Sequence, residues 1–245
     1  MVVGFVGSGN MAAAIARGWA GEFERMLFSD SGSGRAQALA AELGGEVASN
    51  AEIAAEADLI VLAVKPAKLD EVAPQLSAAG HIVSVLAATP LSKLNEALPG
   101  AAVLRVMPNV AVEVRRGVLC VSGEASPAVR EKLALLGHMA EIADSDFDVA
   151  TAIMGCSPAY LALAAEALAD AGAAAGFDPQ LARELVVETA VGTAALLREH
   201  DPAELRRAVA SPGGATEAGL EALDREGVAH AFAAAVEASL ERMRG

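Results

Sequence analysis

The stretch Val2-Val3-Gly4-Phe5-Val6-Gly7-Ser8-Gly9-Asn10-Met11-Ala12 joins an apolar run to a glycine-rich turn and then to a helical pattern. The β-branched start predicts a buried strand, and the two later glycines allow a tight turn. Such a turn lets backbone N–H groups approach a pyrophosphate, which the N-terminus of the following helix stabilises. A second apolar run ends in an acid at Asp30, where such sites meet a ribose. The stretch therefore predicts a dinucleotide site.

Strand and helix patterns alternate through the first part of the chain. The predicted strands are Val2–Val6, Met26–Ser29, Leu59–Val64, His81–Val85, Val103–Val106 and Val118–Val121, and the predicted helices are Asn10–Ala20, Ser33–Leu43, Asn50–Glu56 and Lys68–Ser77. Nearly continuous apolar strands are typical of a sheet covered on both faces. Ser49 and Glu52 form a capping-box pattern, and Thr89-Pro90 and Ser126-Pro127 predict capped helix starts. We expect a mostly parallel, doubly wound α/β domain over residues 1–145.

Strand patterns stop after Asp144, and alanine-rich helical patterns follow. The predicted helices are Asp146–Met154, Pro158–Ala175, Pro179–Glu199, Pro202–Val209, Glu217–Arg225 and Val228–Arg244. Helices this apolar must bury more than one face. We expect residues 146–245 to form an all-α domain that dimerises with a second copy of the chain.

Composition excludes several classes of protein. The chain has 245 residues, 54% of them apolar, and a formal charge of −14, which argues against disorder and against a nucleic-acid partner. Cys120 and Cys156 form no CxxC pair and the four histidines are scattered, so no metal site is predicted. The N-terminus lacks the pattern of a signal peptide, and two acids interrupt the apolar stretch 159–177, so we expect a cytoplasmic protein outside the membrane.

The sequence around Asp30 is compatible with either NAD or NADP as the coenzyme. Asp30 follows Gly7 by 23 positions, where a carboxylate binds the ribose hydroxyls of NAD and repels a 2′-phosphate. Ser31 and Arg35 come next and offer a hydroxyl and a guanidinium that would hold the 2′-phosphate of NADP. Lys65 ends another predicted strand, at the sheet edge where ligands bind, and is a candidate for contact with ribose or phosphate.

The helical part contains one segment of small residues, Ser211-Pro212-Gly213-Gly214-Ala215-Thr216, before a predicted helix. Exposed backbone N–H groups and the helix N-terminus make it suited to a carboxylate. The alternative is a plain capping loop with Thr216 as the N-cap. No lysine follows Lys132, which removes the lysine general acid of 3-hydroxyacid dehydrogenases from consideration.

These motifs together resemble the pyrroline-5-carboxylate reductase family over essentially the whole chain. The segments that carry the resemblance are 5–12, 63–66 (Ala-Val-Lys-Pro), 105–109 (Arg-Val-Met-Pro-Asn), 158–160 (Pro-Ala-Tyr) and 211–216. The last of them is specific to this family. The resemblance implies an N-terminal Rossmann-type domain and a C-terminal helical domain that interlocks with a partner. It also implies an active site at the interface of a homodimer, which the family often builds into a ring of dimers.

The resemblance implies roles at the matching positions. The cofactor, NADP or NAD, would contact Gly7, Ser8, Gly9, Asn10, Met11, Asn50, Ala63, Val64, Lys65, Pro66, Ala87 and Asn109, in addition to Asp30, Ser31 and Arg35. The carboxylate of a cyclic imino acid would lie on Ser211, Gly213, Gly214, Ala215 and Thr216, with the Thr216 hydroxyl on the ring nitrogen as the catalytic group. The expected activity is hydride transfer to 1-pyrroline-5-carboxylate, giving L-proline at the end of proline biosynthesis. The enzyme would be an oxidoreductase acting on CH–NH donors.

Five positions near the expected substrate depart from the family pattern. Cys156 and Ser157 stand where the family usually reads Ser-Gly before Pro158. In addition, Ala88 replaces a glycine, Val110 replaces a threonine and Glu188 stands where glutamine is common. These departures keep two other hypotheses open. One is a related reductase acting on another cyclic imine or a small carbonyl compound. The other is a protein that binds the dinucleotide without turnover.

Overall fold

A computed structural model describes residues 1–244 and divides into two compact units, the first ending at Cys156 and the second beginning at Ser157. Residues 144–156 belong to the first unit. The division of the chain at 145/146 stays a prediction about its domain organisation.

The first unit contains, among the described residues, one sheet of eight strands in the order β3-β2-β1-β4-β5-β6-β7-β8. The strands are β1 Val2–Val6, β2 Arg25–Ser29, β3 Glu46–Val47, β4 Leu59–Leu62, β5 His81–Ser84, β6 Ala102–Pro108, β7 Gly117–Gly123 and β8 Gly137–Glu141. Strands β1 to β6 are parallel, β7 pairs antiparallel with β6, and β8 is parallel to β7. The predicted mostly parallel, doubly wound sheet is confirmed.

Two apolar cores cover the two faces of this sheet. Neighbouring residues on a strand alternate between them: Phe5 packs in one core and Val6 in the other, and Val61 and Leu62 divide in the same way. Phe5 stacks on Phe28 with ring centroids 5.1 Å apart. Because successive strand residues point to opposite faces, a strand buried on both sides must be apolar throughout. This is why β1 and β4 lack polar alternation.

The helices of the first unit are α1 Asn10–Gly18, α2 Arg35–Leu43, α3 Asn50–Glu56, α4 Leu69–Val72, α5 Leu91–Ala97, α6 Pro127–Ala134 and α7 Phe147–Ala150. The predicted capping box is present, since the Ser49 hydroxyl accepts from the backbone N–H of Glu52 while the Glu52 carboxylate accepts from that of Ser49. Ser126 caps α6 through the backbone N–H of Val129. Both capping predictions are confirmed.

Some local predictions were wrong. Thr89 does not cap α5; its hydroxyl donates to the carbonyl of Ala87, and Pro90 is the N-cap residue. The helix predicted over Lys68–Ser77 is a short α4 between two 3₁₀ turns, because Pro74 lies in its interior. The helix predicted over Asp146–Met154 ends at Ala150 and continues as a π turn, Thr151–Gly155.

The second unit is helical. Its elements are α8 Ser157–Ala174, α9 Pro179–Leu196, α10 Pro202–Val209, α11 Ala215–Arg225 and α12 Val228–Arg244. Asp178 and Asp201 cap α9 and α10 through backbone N–H groups of the first turn. The hydroxyls of Tyr160 and Ser239 lie 2.7 Å apart and join α8 to α12. The predicted all-α architecture of this part is confirmed.

The helices of the second unit expose much apolar surface. Leu161, Leu163, Leu168 and Val191 on α8 and α9 are each more than 60% exposed, and the buried residues of these two helices are small, Ala169 and Ala182. Within residues 1–244, one helical stretch, Asp144–Ala174, is long and apolar enough in composition to cross a membrane. Apolar faces of this size mark surfaces that a partner covers.

Candidate active site

The segments predicted to bind the dinucleotide meet at one edge of the sheet. Strands β1, β2, β4 and β5 are parallel, so the residues that follow them lie at their common carboxyl edge. The backbone N–H of Gly7 donates to the Ser29 carbonyl at 3.2 Å, and that of Ala63 donates to the Val6 carbonyl at 2.8 Å. The strand order reverses between β1 and β4, and ligands of open α/β sheets bind outside such a switch point.

The glycine-rich turn has the backbone that the sequence predicts. Gly7 has φ +95°, and a Cβ there would lie 2.7 Å from the backbone oxygen of Ala63. Gly9 is the N-cap of α1 and has no heavy atom within 4 Å of the place of a Cβ. The first position closes a tight turn, and the second leaves free space over the helix N-terminus. This arrangement fits a pyrophosphate.

Polar contacts behind the turn run from a buried serine to an exposed amide pair. The Ser8 hydroxyl donates to the Ser29 carbonyl at 2.9 Å, and the Ser29 hydroxyl lies 2.6 Å from Asn50 Oδ1. The Asn50 amide nitrogen donates to Gln75 at 3.0 Å. These bonds connect the ends of β1 and β2 to the start of α3. Asn50 therefore supports the predicted cofactor edge from below.

A cavity of about 360 Å³ lies beside the turn, between α1, α2 and the 3₁₀ turn Val110–Val114. It is lined by Ser8, Gly9, Asn10, Ala13, Ala14, Arg17, Arg35, Ala38, Leu39, Glu42, Val110 and Glu113. Arg17 is paired with Glu42 and Glu113, whose hydrogen bonds raise the pKa of its guanidinium. Among residues 1–244, no ion pair involves Arg35. This cavity therefore holds one exposed cation able to meet an anionic ligand.

Asp30 uses its carboxylate within its own loop. Oδ1 accepts from the backbone N–H of Gly32 at 2.7 Å, and Oδ2 accepts from the Ser33 hydroxyl at 2.8 Å and the Ala36 backbone N–H at 2.9 Å. The bond from Ala36, with those from Ser33 and Gly32, lowers the pKa of Asp30 to about 2. The loop then enters α2 through Gly34, which has φ +80°. Asp30 thus shapes the segment that contains Ser31 and Arg35.

Two further predicted cofactor positions have contrasting surroundings. Lys65 is exposed and begins the 3₁₀ turn Pro66–Lys68 at the end of β4, where its ammonium group is available to a ligand. Asn109 is buried: its amide donates to the Met154 carbonyl at 3.2 Å and accepts from the backbone N–H of Val118 at 3.2 Å. Asn109 therefore ties the end of β6 to β7 and to the π turn.

The turn after β5 is strained. Ala88 has φ +49°, a left-handed conformation that costs a residue with a Cβ roughly 1–2 kcal/mol. The Thr89 hydroxyl closes the turn on the carbonyl of Ala87 at 3.0 Å. Ala88 therefore has a left-handed backbone conformation that a glycine would adopt without this cost.

The segment predicted to hold a carboxylate lies in the second unit. Gly213 has φ +71°, and its backbone N–H donates to the Glu217 carboxylate at 2.7 Å. Gly214 is the N-cap of α11, so Thr216 is its second residue and not its cap. The prediction that Thr216 would be the N-cap of a capping loop is therefore wrong, although Glu217 itself reaches back to the residue before the cap. A carboxylate of the chain itself thus already binds to one donor of this segment.

No sequence pattern predicted that Arg17 and Glu113 line the cavity beside the turn, and Val110, which also lines it, was expected near the substrate. The three residues come from α1 and from a 3₁₀ turn about a hundred positions further along the chain, so no local pattern places them together. No cluster of three or more His, Cys, Asp or Glu able to hold a metal occurs within residues 1–244. The groups that line the cavity and the predicted cofactor edge include hydroxyls, backbone N–H groups, cations and the paired carboxylates of Glu42 and Glu113.

Both the N-terminal and the C-terminal part of the chain match models of known protein families. Residues 144–245 match the family model for pyrroline-5-carboxylate reductase dimerisation, and residues 2–88 match the model "NADP oxidoreductase coenzyme F420-dependent". A pyrroline-5-carboxylate reductase of Pseudomonas aeruginosa is 37% identical over 97% of this chain and 92% of its own length. Pyrroline-5-carboxylate reductase 3 of Macaca fascicularis is 35% identical over 99% and 94%.

Solved structures extend the similarity to the fold. The 1-pyrroline-5-carboxylate reductase of Streptococcus pyogenes superposes with a TM-score of 0.87 at 30% identity, over 99% of this chain and 98% of that one. A pyrroline carboxylate reductase of Plasmodium falciparum, solved with NADP bound, gives a TM-score of 0.84 at 29% identity, over 99% and 97%. Since relatives more than 30% identical are matched over nearly their whole length, this chain belongs to the pyrroline-5-carboxylate reductase family.

Proposed function

We propose that the protein reduces 1-pyrroline-5-carboxylate to L-proline with NADPH or NADH. One observation carries the proposal: a chain that matches whole reductases of this family has both the glycine turn at the switch point and segment 211–216, for which a carboxylate ligand is predicted. A protein that binds the dinucleotide without turnover has no need of a segment such as 211–216.

The reaction needs a hydride from the coenzyme and two groups from this chain. The bound nicotinamide supplies a hydride for the imine carbon. The N–H groups of segment 211–216 hold the substrate carboxylate, displacing the Glu217 side chain from Gly213. The Thr216 hydroxyl lies at the ring nitrogen and stabilises its protonated or hydrogen-bonded form, so that no histidine is required. Most of the acceleration then comes from holding the donor and the imine carbon in contact.

The direct test follows the nicotinamide absorbance with each coenzyme, with and without 1-pyrroline-5-carboxylate. We expect oxidation that depends on this substrate, and much slower oxidation with 1-pyrroline, which lacks the carboxylate. Equal rates with the two imines would assign the protein to a related reductase of another imine. A protein that binds coenzyme and oxidises it with neither compound would contradict the proposal.

We further propose that the Asp30 loop selects NADPH. Since Asp30 is committed to Gly32, Ser33 and Ala36, its role is to hold a loop whose donors and Arg35 meet the 2′-phosphate. We expect Asp30→Ala to weaken NADP⁺ binding about tenfold or more, given roughly 1.5–3 kcal/mol for a hydrogen bond to a charged group. If Asp30 instead repels this phosphate, Asp30→Ala strengthens NADP⁺ binding and weakens NAD⁺ binding. Calorimetric titration decides the sign, with Arg35→Ala as the variant expected to spare NAD⁺.

The chain self-associates through the dimerisation domain of its family. We propose a homodimer, assembled further into a ring, in which the exposed faces of α8 and α9 are covered by a second copy and not by lipid. A cavity of about 730 Å³ lies along these helices and combines apolar walls with Arg183, Glu166 and Asp170. A second copy offers the same mixture of apolar surface and opposite charges.

Light scattering tests this assembly. We expect a particle of at least twice the 24.7 kDa chain mass, and dissociation or aggregation in Val191→Asp, which places a charge on a 62%-exposed apolar position of α9. Val47→Asp is the matched control, because Val47 is 49% exposed on β3 of the first unit. A monomeric parent, or a Val191→Asp variant of unchanged mass, would contradict the assignment of this face.

We also propose a cytoplasmic location without nucleic-acid partners. Both cysteines are free, and Cys120 is buried, which suits a reducing compartment. The net charge of −14 disfavours approach to phosphate polymers.

A further inference from the structure

A buried cation joins the end of the sheet to the segment after β8. Arg105 on β6 is 4% exposed, and its Nη1 donates to Asp144 Oδ1 at 2.8 Å and to the Asp144 carbonyl at 3.3 Å. Its guanidinium lies 4.0 Å above the ring of Phe147. Within residues 1–244 its Nε has no hydrogen-bond partner. A buried charge is retained only with such a partner, so Arg105 and Asp144 depend on one another.

Asp144 has a second contact that places it beside the strained turn. Its two carboxylate oxygens lie 3.1 and 3.3 Å from the backbone N–H of Leu91, the first residue of α5. A helix start needs acceptors for its free N–H groups, and the N-cap residue here is Pro90, which has no side-chain acceptor. A carboxylate 53 positions away in sequence therefore does the capping that Thr89 was predicted to do.

The turn between β5 and α5 is held at both ends. At its start, β5 pairs with β4 and β6, with Ser84 opposite Arg105 itself. At its end, Leu91 is bound to Asp144. Between them Ala88 keeps φ +49°, and a strained conformation of this kind persists only where its surroundings enforce it. Asp144, which is itself bound to Arg105, fixes the position of Leu91 three residues after Ala88.

The position of the turn connects it to the reaction. β2 lies on one side of the switch point and carries the Asp30 loop, which would meet the adenosine half of the dinucleotide. β5 lies on the other side, so the turn at its carboxyl end falls in the half of the crevice that would receive the nicotinamide. A change in the conformation of this turn would therefore displace the nicotinamide ring and leave the binding of the adenosine half unchanged.

We propose that Arg105 and Asp144 are positioning residues for hydride transfer. They touch neither substrate nor coenzyme; they hold the turn at Ala87–Thr89, in which Ala88 is left-handed, in the form that seats the nicotinamide. This inference rests on the proposed function, and it predicts a particular separation of effects. Removing the pair lowers kcat and weakens binding of the whole coenzyme, while binding of its adenosine part remains.

The test compares Asp144→Ala, Asp144→Asn and Arg105→Lys with the parent protein. For each we would measure kcat and KM well below the melting temperature, and the Kd of NADPH and of adenosine 2′,5′-bisphosphate, which lacks the nicotinamide. We expect Asp144→Ala to lower kcat about 10- to 100-fold, since small errors in placement have effects of this size. The bisphosphate Kd should stay at its parent value. Asp144→Asn keeps an acceptor for Leu91 and should recover part of kcat.

A further variant distinguishes positioning from general stability. Ala88→Gly removes the strain that the pair enforces, so adding it to Asp144→Asn should restore kcat towards the parent value. A lower melting temperature with unchanged kcat would overturn the proposal, as would equal losses of NADPH and bisphosphate binding. If the parent protein does not reduce the imine, the proposed function is wrong but the role of Arg105 and Asp144 is still tested. The Kd values of NADPH and of adenosine 2′,5′-bisphosphate then show whether the pair positions the nicotinamide.

Discussion

The Gly9→Ala variant is expected to fold with the stability of the parent protein and to lose most of its affinity for NADPH. Gly9 has φ −77°, which any residue adopts, and the added methyl group meets no heavy atom within 4 Å. The substitution therefore introduces no strain into the free chain. The same methyl group fills the space above the N-terminus of α1, where the backbone must approach the pyrophosphate. We expect a loss of affinity of about 100-fold, or roughly 2.7 kcal/mol.

Gly7→Ala separates the two roles of the turn. At Gly7 the φ of +95° and the 2.7 Å approach to the Ala63 oxygen mean that a methyl group strains the free protein as well. This variant should lose both coenzyme affinity and thermal stability, since a left-handed alanine alone costs roughly 1–2 kcal/mol. The same glycine-to-alanine change is therefore expected to lower only NADPH affinity at Gly9, and both NADPH affinity and thermal stability at Gly7.

Thermal unfolding and a fluorescence titration with NADPH check both variants. Gly80→Ala is the matched control, because Gly80 precedes β5 at the opposite edge of the sheet and also has open space around its Cβ. It should change neither quantity. If Gly9→Ala binds NADPH as tightly as the parent protein, the pyrophosphate does not lie over this helix.

Thr216→Ala is expected to lower kcat by about two orders of magnitude with little change in the Kd of NADPH. Removing one well-placed donor from a developing charge typically has an effect of about 10²–10³ on kcat. Thr216 is exposed near the start of α11, and within residues 1–244 its hydroxyl makes no hydrogen bond. Its removal therefore leaves the helix intact, and the loss reports on the reaction.

Thr216→Ser and Thr216→Val complete this experiment. Serine keeps the hydroxyl and should restore most of the turnover, whereas valine keeps the shape and should behave like alanine. Steady-state rates at saturating imine and coenzyme give kcat for all three variants. Parent-like turnover in Thr216→Ala and Thr216→Val would show that another group, or the solvent, serves the ring nitrogen.

Much of the architecture was predictable because its signals are local. The strand β1, the turn at Gly7 and the start of α1 lie within eleven consecutive residues, and their boundaries agree with the predictions. Caps such as Ser49 and Asp201 act on the next turn of their own helices. Alternation of core residues along β4 follows from strand geometry alone.

Other elements depend on a partner that is distant in the sequence. β3 has only two residues, both exposed, and forms because β2 lies beside it. β8 reads Gly-His-Met-Ala-Glu, a sequence of weak strand propensity that pairs with β7. No window of sequence shows such a pairing, because the stabilising hydrogen bonds come from the neighbouring strand.

The dinucleotide turn and the helical nature of the second unit were therefore legible in consecutive residues, where spacing, glycine and capping patterns act over a few positions. The functions of Asp30 and Asp144 were not. The sequence around an acidic residue after β2 does not show whether its carboxylate faces a ribose or its own loop. The hydrogen bonds from Gly32 and Ala36 form only when the loop folds. Asp144 meets Leu91 and Arg105 only because the sheet brings the ends of three segments together. Burial strengthens these hydrogen bonds of Asp144, since water no longer competes for them.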